Sequence, residues 1–433
     1  MAKGEPATAV MRRARGGTLV VGGGFGGAYV AKLMGNRGAT IVSPESSMLY
    51  TPILPEVAAG AIEPRHAVIP LRMMCPKAEV VLGRGTTLDE DGRRVLVETG
   101  AGEVEIEYEH VVIAVGAVAR MLPIPGLAER GLGFKNLADA IYLRKHLLSR
   151  LDAADADPEE AERHLTFVFV GAGYAGVEAL AELTDLTRDV LRHYPSLKKT
   201  PQRWVLVDAG ERILGEVPAQ LGDYAAKHLR KRGVDIRVST RLERVDEGAV
   251  TLSDGTEFET ETLVWTAGVR PHPLVDELGL PLDERGRIRV DSTLRVEDRS
   301  NVWALGDCAS VPNQATPGKH DPPTCQHALR QSRRLVKNIR GSEKPYGYRM
   351  IGQGATLGRD KGIANLLGRV NFRGIPGAMF TRIYHLHQLP LFSRRLRVLA
   401  DGMLSRSFGR DMADLGLLER SVGDPAARNS VAA

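Results

Sequence analysis

The sequence predicts an α/β fold that contains two parallel βαβ motifs. A run rich in β-branched residues, 18–21, leads directly into a six-residue loop that is almost entirely glycine, and a helix-compatible segment follows. The same order returns further along the chain, with Gly171 in the place of Gly22. A third apolar strand, 301–305, ends in a polar turn. Strands that alternate with helices in this way indicate a sheet of parallel strands.

The composition is that of an ordinary globular protein. Of the 433 residues, 43% are hydrophobic and 26% are charged, which excludes the disordered and fibrous classes. The three cysteines form no motif pair, which fits a reduced, cytosolic compartment without a disulfide framework. No stretch approaches the ~18 apolar residues that span a bilayer. The net charge of +5 is a mild excess, and no nucleic-acid partner is expected.

The first βαβ motif follows a tail. Residues 1–17 contain several arginines but no apolar run, so we expect a loose tail and not a signal peptide. The pattern then predicts a strand over 18–21, a helix over 28–34 and a strand over 40–42. From 80 to 115, short alternating runs separated by glycine turns predict an antiparallel meander.

The second βαβ motif repeats this order. A connector rich in acids and alanine, 152–162, leads into a predicted strand over 166–170, a helix over 177–191 and a strand over 203–207. After Tyr346 the composition shifts towards arginine, histidine and apolar residues, which indicates a distinct C-terminal part.

Both glycine loops have the spacing GxGxxG, formed by Gly22, Gly24 and Gly27 and by Gly171, Gly173 and Gly176. The pyrophosphate of a dinucleotide needs backbone N–H groups at close range and a helix N-terminus behind it, which favours residues without a Cβ at the turn. Two copies with the correct flanking elements predict two dinucleotide sites. The alternative is that the glycines serve two tight turns and nothing more.

The residue after the second strand of each motif is expected near the adenosine ribose. Asp208 follows strand 203–207, where it can accept hydrogen bonds from ribose hydroxyls and repel a 2′-phosphate, which favours NADH over NADPH. The corresponding residue of the first motif is Ser43, where an acid would be expected. Either Ser43 or Glu45 would then contact the ribose.

Six segments carry a resemblance to a known family: 21–27, 49–60, 167–178, 266–271, 304–308 and 322–331. As a set they resemble the two-dinucleotide-binding-domain flavoproteins. Within these, the chain is most similar to the type II NADH dehydrogenases, single-subunit NADH:quinone oxidoreductases that pump no protons.

The resemblance implies that the first loop binds FAD and the second binds NADH, in two Rossmann-like domains of which the NADH domain is inserted in the FAD domain. The implied boundaries are a flexible tail, 1–17, the first part of the FAD domain, 18–150, the NADH domain, 160–284, the second part of the FAD domain, 285–345, and a C-terminal region with quinone-site and membrane-surface elements, 346–433.

The resemblance also implies roles for single residues. Asp307 would hold the ribityl chain of FAD, and Gln326 would lie beside the isoalloxazine ring and the quinone. Thr324 would cap a helix that starts near Cys325 and direct its positive end towards the flavin. The alternatives are an Asp that caps a turn and a plain surface helix. The implied cofactor contacts are Gly22, Gly24, Phe25, Gly26, Gly27, Ser43, Thr51, Gly116, Asp307 and Gln326 for FAD, and Gly171, Gly173, Tyr174, Gly176, Glu178, Asp208 and Gly268 for NADH.

Glu178 and Gln326 are the implied catalytic residues. We expect Glu178 in the first turn of the helix after the second loop, where the family has an acid near the nicotinamide and the quinone path that could assist proton delivery. The alternative is an acid that only complements the helix dipole. Lys361 lies where the family's quinone pocket receives a basic residue, and an exposed loop lysine is its alternative.

The cysteines separate close relatives. Disulfide reductases of this superfamily need a redox pair before Met74, and sulfide:quinone reductases need a cysteine between Cys75 and Cys308; the chain has neither. Cys308 and Cys325 are therefore expected to pack as small apolar residues. The sequence indicates no metal site.

The C-terminal part predicts contact with a membrane. Residues 372–410 contain seven arginines and one acid, Asp401. At helical spacing, one apolar stripe comprises Phe392, Leu396, Leu399, Ala400, Met403, Leu404 and Phe408. Such a helix can lie on anionic headgroups at the inner face of the cell membrane. The alternative is that the stripe packs on the protein or on a second subunit, and a homodimer is an open expectation.

The leading functional hypothesis is a peripheral membrane flavoenzyme that passes electrons from NADH to a quinone of the menaquinone or ubiquinone type. One alternative keeps the flavin and changes the acceptor, as in a soluble NAD(P)H-dependent reductase of a metabolite or an electron-carrier protein. Another is a flavin-bound sensor whose NADH-dependent shape controls a partner.

Overall fold

The computed structural model describes residues 10–413, so the parts of the predicted tail and C-terminal region at 1–9 and 414–433 lie outside the described residues. The chain forms two compact units. Within the described residues, the first compact unit comprises 10–49, 68–118 and 269–349, and the second comprises 50–67, 119–268 and 350–413. Each unit is thus assembled from three stretches of chain. The assignment of FAD and NADH to particular stretches stays a prediction.

The described part of the chain has the following strands: β1 Val10–Arg13, β2 Thr18–Val21, β3 Thr40–Ser43, β4 Ser47–Leu49, β5 Val68–Pro70, β6 Glu79–Asp89, β7 Arg94–Thr99, β8 Gly102–Glu107, β9 His110–Ile113, β10 Ala117–Ala119, β11 Leu132–Gly133, β12 Thr166–Val170, β13 Arg203–Val207, β14 Val234–Arg237, β15 Leu242–Asp246, β16 Ala249–Leu252, β17 Glu257–Glu259, β18 Thr262–Trp265, β19 Val269–Pro271, β20 Ile288–Arg289, β21 Val302–Ala304, β22 Ala309–Ser310, β23 Gly352–Thr356, β24 Gly362–Leu366 and β25 Val370–Gly374.

Its α-helices are α1 Phe25–Met34, α2 Leu54–Ala58, α3 Leu71–Met74, α4 Leu127–Arg130, α5 Leu137–Ala156, α6 Ala161–His164, α7 Tyr174–Val190, α8 Ala219–Lys231, α9 Leu274–Glu277, α10 Cys325–Ile339, α11 Ile375–Gln388 and α12 Phe392–Phe408.

The first compact unit is built on an eight-stranded sheet in the order β1-β8-β7-β6-β3-β2-β9-β21. Strands β3, β2, β9 and β21 pair in parallel, and β2 and β3 are buried along their whole length. Strand β6 is shared, because it pairs in parallel with β3 at its start and antiparallel with β7 at its end. The predicted βαβ motif and third strand are present. The predicted meander is formed by β6, β7 and β8 and extends the parallel sheet, whereas β9, which lies within the predicted range 80–115, pairs in parallel with β2 and β21.

The predicted tail requires a correction. Residues Val10–Arg13 form an edge strand, β1, that pairs in parallel with β8. The backbone N–H of Ala14 then donates to the carbonyl of Glu107 at 2.8 Å, and Arg13 bonds Glu109 at 2.9 Å. All four residues of β1 are exposed, so neither face needs apolar residues and no alternation marks this strand in the sequence.

The second compact unit contains a five-stranded parallel sheet in the order β11-β18-β12-β13-β14. Strands β12 and β13 have the predicted bounds, and they lie in its centre, which explains their uninterrupted apolar sequence. A small antiparallel sheet, β15-β16-β17, encloses with them a core that includes Val168, Val205, Phe258 and Trp265. Helix α7 begins at Tyr174, within the second glycine motif, and is buried along most of its length.

The C-terminal part of the second compact unit is an antiparallel sheet, β23-β24-β25, followed by α11 and α12. Helix α11 packs on β24, where a Cβ on Gly377 would overlap the carbonyl oxygen of Gly362. Among the described residues, none of the helices combines the length and the apolar character that crossing a bilayer requires.

Candidate active site

The first glycine loop joins β2 to α1 and leaves an open cradle. Gly22 has φ +114°, a conformation that favours glycine. A Cβ on Gly27 would overlap the carbonyl oxygen of Gly22, so this glycine lets the helix begin against the strand. Gly24 is the N-cap of α1, and no described heavy atom lies within 4 Å of the position its Cβ would take. The space in front of this helix N-terminus is therefore open to a phosphate.

The second glycine loop, between β12 and α7, has the same backbone. Gly171 has φ +107°, and a Cβ on Gly176 would overlap the carbonyl oxygen of Gly171. Gly173 is the N-cap of α7, with φ −73° and ψ −171°, against −75° and −165° at Gly24. Here too the Cβ position of the N-cap glycine faces space without a described neighbour. Both loops therefore fit the pyrophosphate of a dinucleotide.

The residues that follow β3 and β13 differ between the two motifs. Asp208 accepts hydrogen bonds from the backbone N–H groups of Ala172, at 2.6 Å, and Gly210, at 2.7 Å. Ser43 accepts from the N–H of Glu45 at 3.3 Å and is buried. The second motif therefore places a carboxylate beside its glycine loop, whereas the first places a neutral hydroxyl there.

A cavity of about 460 Å³ lies beside the second loop. Its lining includes Tyr174, Asp208, Arg212 and Glu216. This volume is in the range of cofactor sites. Burial raises the pKa of Tyr174 and that of Glu216 above their ordinary values.

The turn Gly306–Cys308 follows strand β21 in the first compact unit. Gly306 has φ +75°, and its backbone N–H donates to Oε1 of Gln331 at 2.8 Å. Gln331 in turn donates from Nε2 to Asp321 at 3.0 Å, and Asp321 lies 2.8 Å from Nδ1 of His327. A buried polar network on α10 thus holds the turn that carries Asp307, which is partly exposed.

The N-terminus of α10 has the predicted cap. The Thr324 hydroxyl accepts from the N–H of His327 at 3.3 Å, and the helix starts at Cys325. Gln326 lies in its first turn, where the Tyr348 hydroxyl donates to its Oε1 at 3.1 Å. Arg330 stacks on the Tyr348 ring, 4.3 Å from the ring centroid. The Gln326 amide is therefore oriented by a tyrosine that is itself held in place.

Glu178 is deeply buried, and its position along α7 corrects one sequence-based expectation. Helix α7 begins at Tyr174, so Glu178 lies in the second turn and not in the first. Its side chain accepts from the backbone N–H of Thr356 at 2.8 Å and from the hydroxyl of Thr356 at 3.2 Å. Burial, and next the charge of Glu56, raise the pKa of Glu178 to about 8. At neutral pH this carboxyl is protonated and available as an acid.

Further acids on α7 are paired with arginines from the same compact unit. Glu182 bonds Arg382 at 3.3 Å and also Arg410, which is buried. Burial opposes the ionisation of Glu182, but these guanidinium groups outweigh it and hold the pKa of Glu182 below its ordinary value. Asp185 bonds Arg232 at 2.7 Å. The helix therefore presents one protonated acid near the loop and acids paired with arginines beyond it.

The remaining predicted contacts are placed as follows. Thr51 opens the short 3-10 helix Thr51–Ile53 of the second compact unit. Gly116, with φ +72°, and Gly268, with φ +86°, occupy turns that favour glycine. Phe25 is the first residue of α1, and Gly26 packs so closely that its Cβ would lie 2.7 Å from Leu305.

Lys361 directly precedes β24 and is partly exposed, near Gly374.

Several residues of the site were not singled out from the sequence. Glu56, Gln331 and Thr356 lack a local pattern, because their partners are distant in the chain. Glu56 and Gln331 do lie in the segments 49–60 and 322–331 that carry the resemblance, and this was the available signal. Among residues 10–413, no group of three or more His, Cys, Asp or Glu is arranged to hold a metal ion.

Comparison with known proteins places the chain in a family. The family model described as pyridine nucleotide-disulphide oxidoreductase matches residues 17–332, more than half of the chain. A probable NADH dehydrogenase from Dictyostelium discoideum is 30% identical over 390 residues, covering 86% of this chain and 85% of that protein. The type II NADH:quinone oxidoreductase Ndh of Mycobacterium tuberculosis is 30% identical over 419 residues, covering 91% and 88%. The chain belongs to the type II NADH:quinone oxidoreductase family. The resemblance inferred from the sequence motifs is thereby confirmed.

A solved structure has the same fold as this protein. NDH2 from Plasmodium falciparum, in complex with NADH, has a TM-score of 0.85 to this chain at 16% identity, covering 93% of this chain and 99% of that one. At this level of identity the likeness shows the shared α/β fold.

The cysteines of this type II family member are free thiols. Cys75 and Cys308 are buried and Cys325 is partly buried. Burial raises the pKa of Cys308 to about 11 and that of Cys325 to about 12, and the charge of Asp307 adds to both shifts. Neither thiol ionises near neutral pH, and a thiolate is the form that attacks a disulfide. Packing as small apolar residues stays the prediction for both.

Proposed function

We propose that the protein transfers electrons from NADH, through bound FAD, to a membrane quinone without pumping protons. The observation that carries the proposal is the pair of glycine loops with matched backbone geometry in a chain that belongs to this family. When bound, FAD accepts a hydride from NADH and retains both electrons until an acceptor takes them. The chain's own residues would bind and orient the cofactors and the quinone, and would deliver a proton.

The first compact unit supports FAD binding. Gly22, Gly24 and Gly27 form the open cradle for the pyrophosphate at the N-terminus of α1. Asp307, held by the Gly306 and Gln331 contact, would bind the ribityl hydroxyls. Gln326 would present its amide to the ring, with its carbonyl oxygen already engaged by Tyr348.

The second compact unit supports NADH binding. The cavity beside Gly173 accommodates an adenosine ribose, and the Asp208 carboxylate would accept hydrogen bonds from its hydroxyls. The negative charge of Asp208 would also repel a 2′-phosphate, which favours NADH over NADPH.

Glu178 is proposed to supply a proton to the quinone. The balanced reaction converts NADH, one proton and quinone into NAD⁺ and quinol, so one proton must come from the protein or the solvent. Because burial raises the pKa of Glu178 to about 8, its carboxyl carries a proton at neutral pH. Lys361 remains a candidate for the quinone pocket.

Helix α12 is proposed to dock on an anionic membrane surface at the inner face of the cell membrane. Its apolar stripe faces away from the second compact unit, with Phe392 72% and Phe408 85% exposed. The opposite side is bound to the protein, because Asp401 lies 2.5 Å from Nδ1 of His66 and accepts from the N–H of Glu63 at 3.1 Å. Helix α11 adds exposed apolar residues, Ile375, Met379 and Ile383. In a surface helix that packs on its own protein, the apolar side faces the protein. In α12 the apolar side faces outward, which favours lipid as the partner.

Spectroscopy and quinone kinetics test the proposal. The purified protein should be yellow, and anaerobic titration with stoichiometric NADH should bleach the flavin absorbance. Steady-state assays should then show NADH-dependent reduction of menaquinone or ubiquinone analogues. A protein that remains colourless after reconstitution with FAD would refute the proposal. A protein that reduces ferricyanide but none of the quinone analogues would favour a soluble reductase.

Liposome flotation tests the membrane surface. The intact chain should float with vesicles that contain anionic lipid, and a chain truncated after Arg373 should not. Binding by both chains would show that α11 and α12 are not the docking surface. Whether the protein forms a homodimer stays a prediction, which light scattering can decide.

A further inference from the structure

A second buried carboxyl, Glu56, lies close to Glu178 in the second compact unit. Glu56 belongs to α2, which packs against α7 and α5. The residue is 6% exposed, and among the described residues its Oε2 has no hydrogen-bond partner. A buried carboxylate without a partner is costly, because desolvation penalises its charge. Glu56 therefore requires an explanation in terms of its proton.

The neighbouring charges on α7 are distributed unevenly. Glu178, Glu182 and Asp185 are spaced so that they share one face of the helix, and all three are buried. Glu182 and Asp185 are bonded to guanidinium groups, from Arg382 and Arg410 and from Arg232 respectively. Glu178 bonds Thr356 instead.

The arginines thus neutralise the far end of the acidic face and leave Glu56 and Glu178 without an ion-pair partner among the described residues.

Other elements around Glu56 contribute few free charges. Helix α11 provides Arg382, which is bonded to Glu182, and His385, whose pKa burial lowers to about 4, so that it is neutral. Helix α5 provides Arg144, which bonds the carbonyl of Asp411. The C-terminal segment provides Arg410, bonded to Glu182. Among the described residues, Glu56 is therefore the acidic neighbour of Glu178 that forms no ion pair with an arginine.

We propose that Glu56 and Glu178, buried where α2 packs against α7, form an electrostatically coupled carboxyl pair. Glu56 is thus a positioning residue for the acid that donates to the quinone. The coupling itself is a property of the folded chain, whereas its use in catalysis rests on the proposed function.

The charges give the order in which the pair loses its protons. Burial, and next the charge of Glu182, raise the pKa of Glu56 to about 7, and the resulting charge on Glu56 contributes to the higher pKa of Glu178, about 8. Two carboxyls in contact with the same low-dielectric region cannot both ionise easily, so the pair titrates in two separated steps.

In catalysis the proton balance is simple. The Glu178 carboxyl would break its O–H bond as one quinone oxygen gains that proton, while the hydride of NADH, passed on through the bound flavin, would supply both electrons and the second hydrogen of the quinol. The Glu178 carboxylate would then regain a proton from the solvent. A protonated Glu178 is thus restored before the next turnover.

Infrared titration of the holoenzyme tests the pair without using quinone. The C=O stretch of protonated carboxyls, identified by its shift in D₂O, should disappear in two steps above the pH at which exposed glutamates ionise. In Glu56→Gln the later step should be lost and the remaining one should lie about one pH unit lower than the later step of the wild type. In Glu178→Gln the later step should also be lost. Glu159→Gln, the same change at an exposed position, should leave both steps intact.

Each outcome decides the proposal. If Glu56→Gln or Glu178→Gln retains the later step unchanged, the two carboxyls are not coupled and the proposal is overturned. Glu56→Asp should restore two steps, which a purely structural role of Glu56 does not predict. If Glu56→Gln does not fold, Glu178→Gln and Glu56→Asp carry the same comparison.

A pH profile separates this proposal from the proposed function. In Glu56→Gln the alkaline limb of kcat with a quinone analogue should move about one pH unit towards acid, while KM for NADH stays unchanged. If no variant and no wild type reduces quinone, the proposed function fails, and the infrared titration still decides whether the pair exists.

Discussion

The first and second glycine loops have the same backbone and different neighbours. In both, the first glycine has a positive φ, the second glycine of the motif caps the helix and the third lies against a carbonyl oxygen. At the position between the first two, the first loop has Gly23, whose Cβ would overlap the Ser43 hydroxyl, while the second loop has Ala172, whose N–H donates to Asp208. Further along the helix, Tyr29 of the first motif corresponds to Glu178 of the second.

The pyrophosphate cradle is therefore common to both motifs, whereas the residues around it differ. The cradle is made of backbone atoms, and a Cβ on its third glycine would overlap a carbonyl oxygen. The residue after the second strand and the residue in the second helical turn differ between the two motifs.

The largest effects are expected at the third glycine of each loop. In Gly27→Ala and Gly176→Ala the new Cβ would overlap a carbonyl oxygen, which costs about 1–3 kcal/mol or more. Cofactor affinity should fall by about tenfold to a hundredfold, but only in the altered motif. Gly27→Ala should lose flavin absorbance on gel filtration, and Gly176→Ala should stay yellow and resist bleaching by NADH.

The control for the glycine variants is Gly100→Ala, in the turn between β7 and β8, where no described atom lies within 4 Å of the new Cβ. It should retain the flavin and the NADH response. If Gly176→Ala lost flavin and Gly27→Ala kept it, the assignment of FAD to the first loop and NADH to the second would be reversed.

The sequence predicts this cradle well because its rules are local. Strands β12 and β13 have the predicted bounds, and the GxGxxG spacing sits between each strand and helix as expected. A positive φ at Gly22 and Gly171 and the cap by Thr324 depend only on near neighbours in the chain. Such features leave a readable signature.

The surroundings of Glu178 could not be predicted in the same way. Its partner Thr356 and the paired Arg410 come from a distant part of the chain, so no spacing in the sequence connects them. The error in the helical turn of Glu178 arose because the helix begins three residues earlier than its periodic pattern indicates, at Tyr174. The burial that raises its pKa comes from these distant elements and has no local signature in the sequence.

The next largest difference is expected between Gly23 and Ala172. Gly23→Ala should destabilise the protein by about 1–3 kcal/mol, because the new methyl group meets Ser43 and also approaches Leu71 within 3.1 Å. Ala172→Gly should cost about 1–2 kcal/mol without any steric overlap, since it removes one buried methyl group and adds freedom to the unfolded chain. Chemical denaturation measures both.

The double variant Gly23→Ala with Ser43→Gly sharpens this test. Removal of the Ser43 side chain should recover part of the stability that Gly23→Ala loses, because the two changes are in contact. Strictly additive effects would show that contact with Ser43 is not the reason why position 23 requires glycine.

The third prediction concerns how the stability of the protein depends on pH through Glu178, the residue of the second motif that corresponds to Tyr29 of the first. Because the pKa of Glu178 is raised to about 8 in the folded state from an ordinary 4.5, the folded state binds more protons than the unfolded state between these values. The stabilisation is therefore present below about pH 4.5 and is lost as pH rises through 8, by up to about 1.4 kcal/mol per pH unit. The wild type should lose stability more steeply than Glu178→Gln from pH 5 to pH 8.

Glu159→Gln, at an exposed position, should follow the wild type across this pH range. Parallel stability curves for the wild type and Glu178→Gln would mean that Glu178 is ionised in the folded protein, and its role as a proton donor at neutral pH would then be excluded.

The smallest effect is expected where the motifs differ by one charge. Asp208→Asn removes the negative charge beside the second loop and replaces one of the two oxygens that accept from Ala172 and Gly210. Repulsion of a 2′-phosphate by this partly exposed carboxylate is worth about 1 kcal/mol, so the preference for NADH over NADPH in kcat/KM should fall roughly fivefold. Arg212, which lines the same cavity, can then attract the phosphate. Ser43→Ala, the matched change in the first motif, should leave this preference unaltered, and an unchanged preference in Asp208→Asn would place the selectivity elsewhere in the cavity.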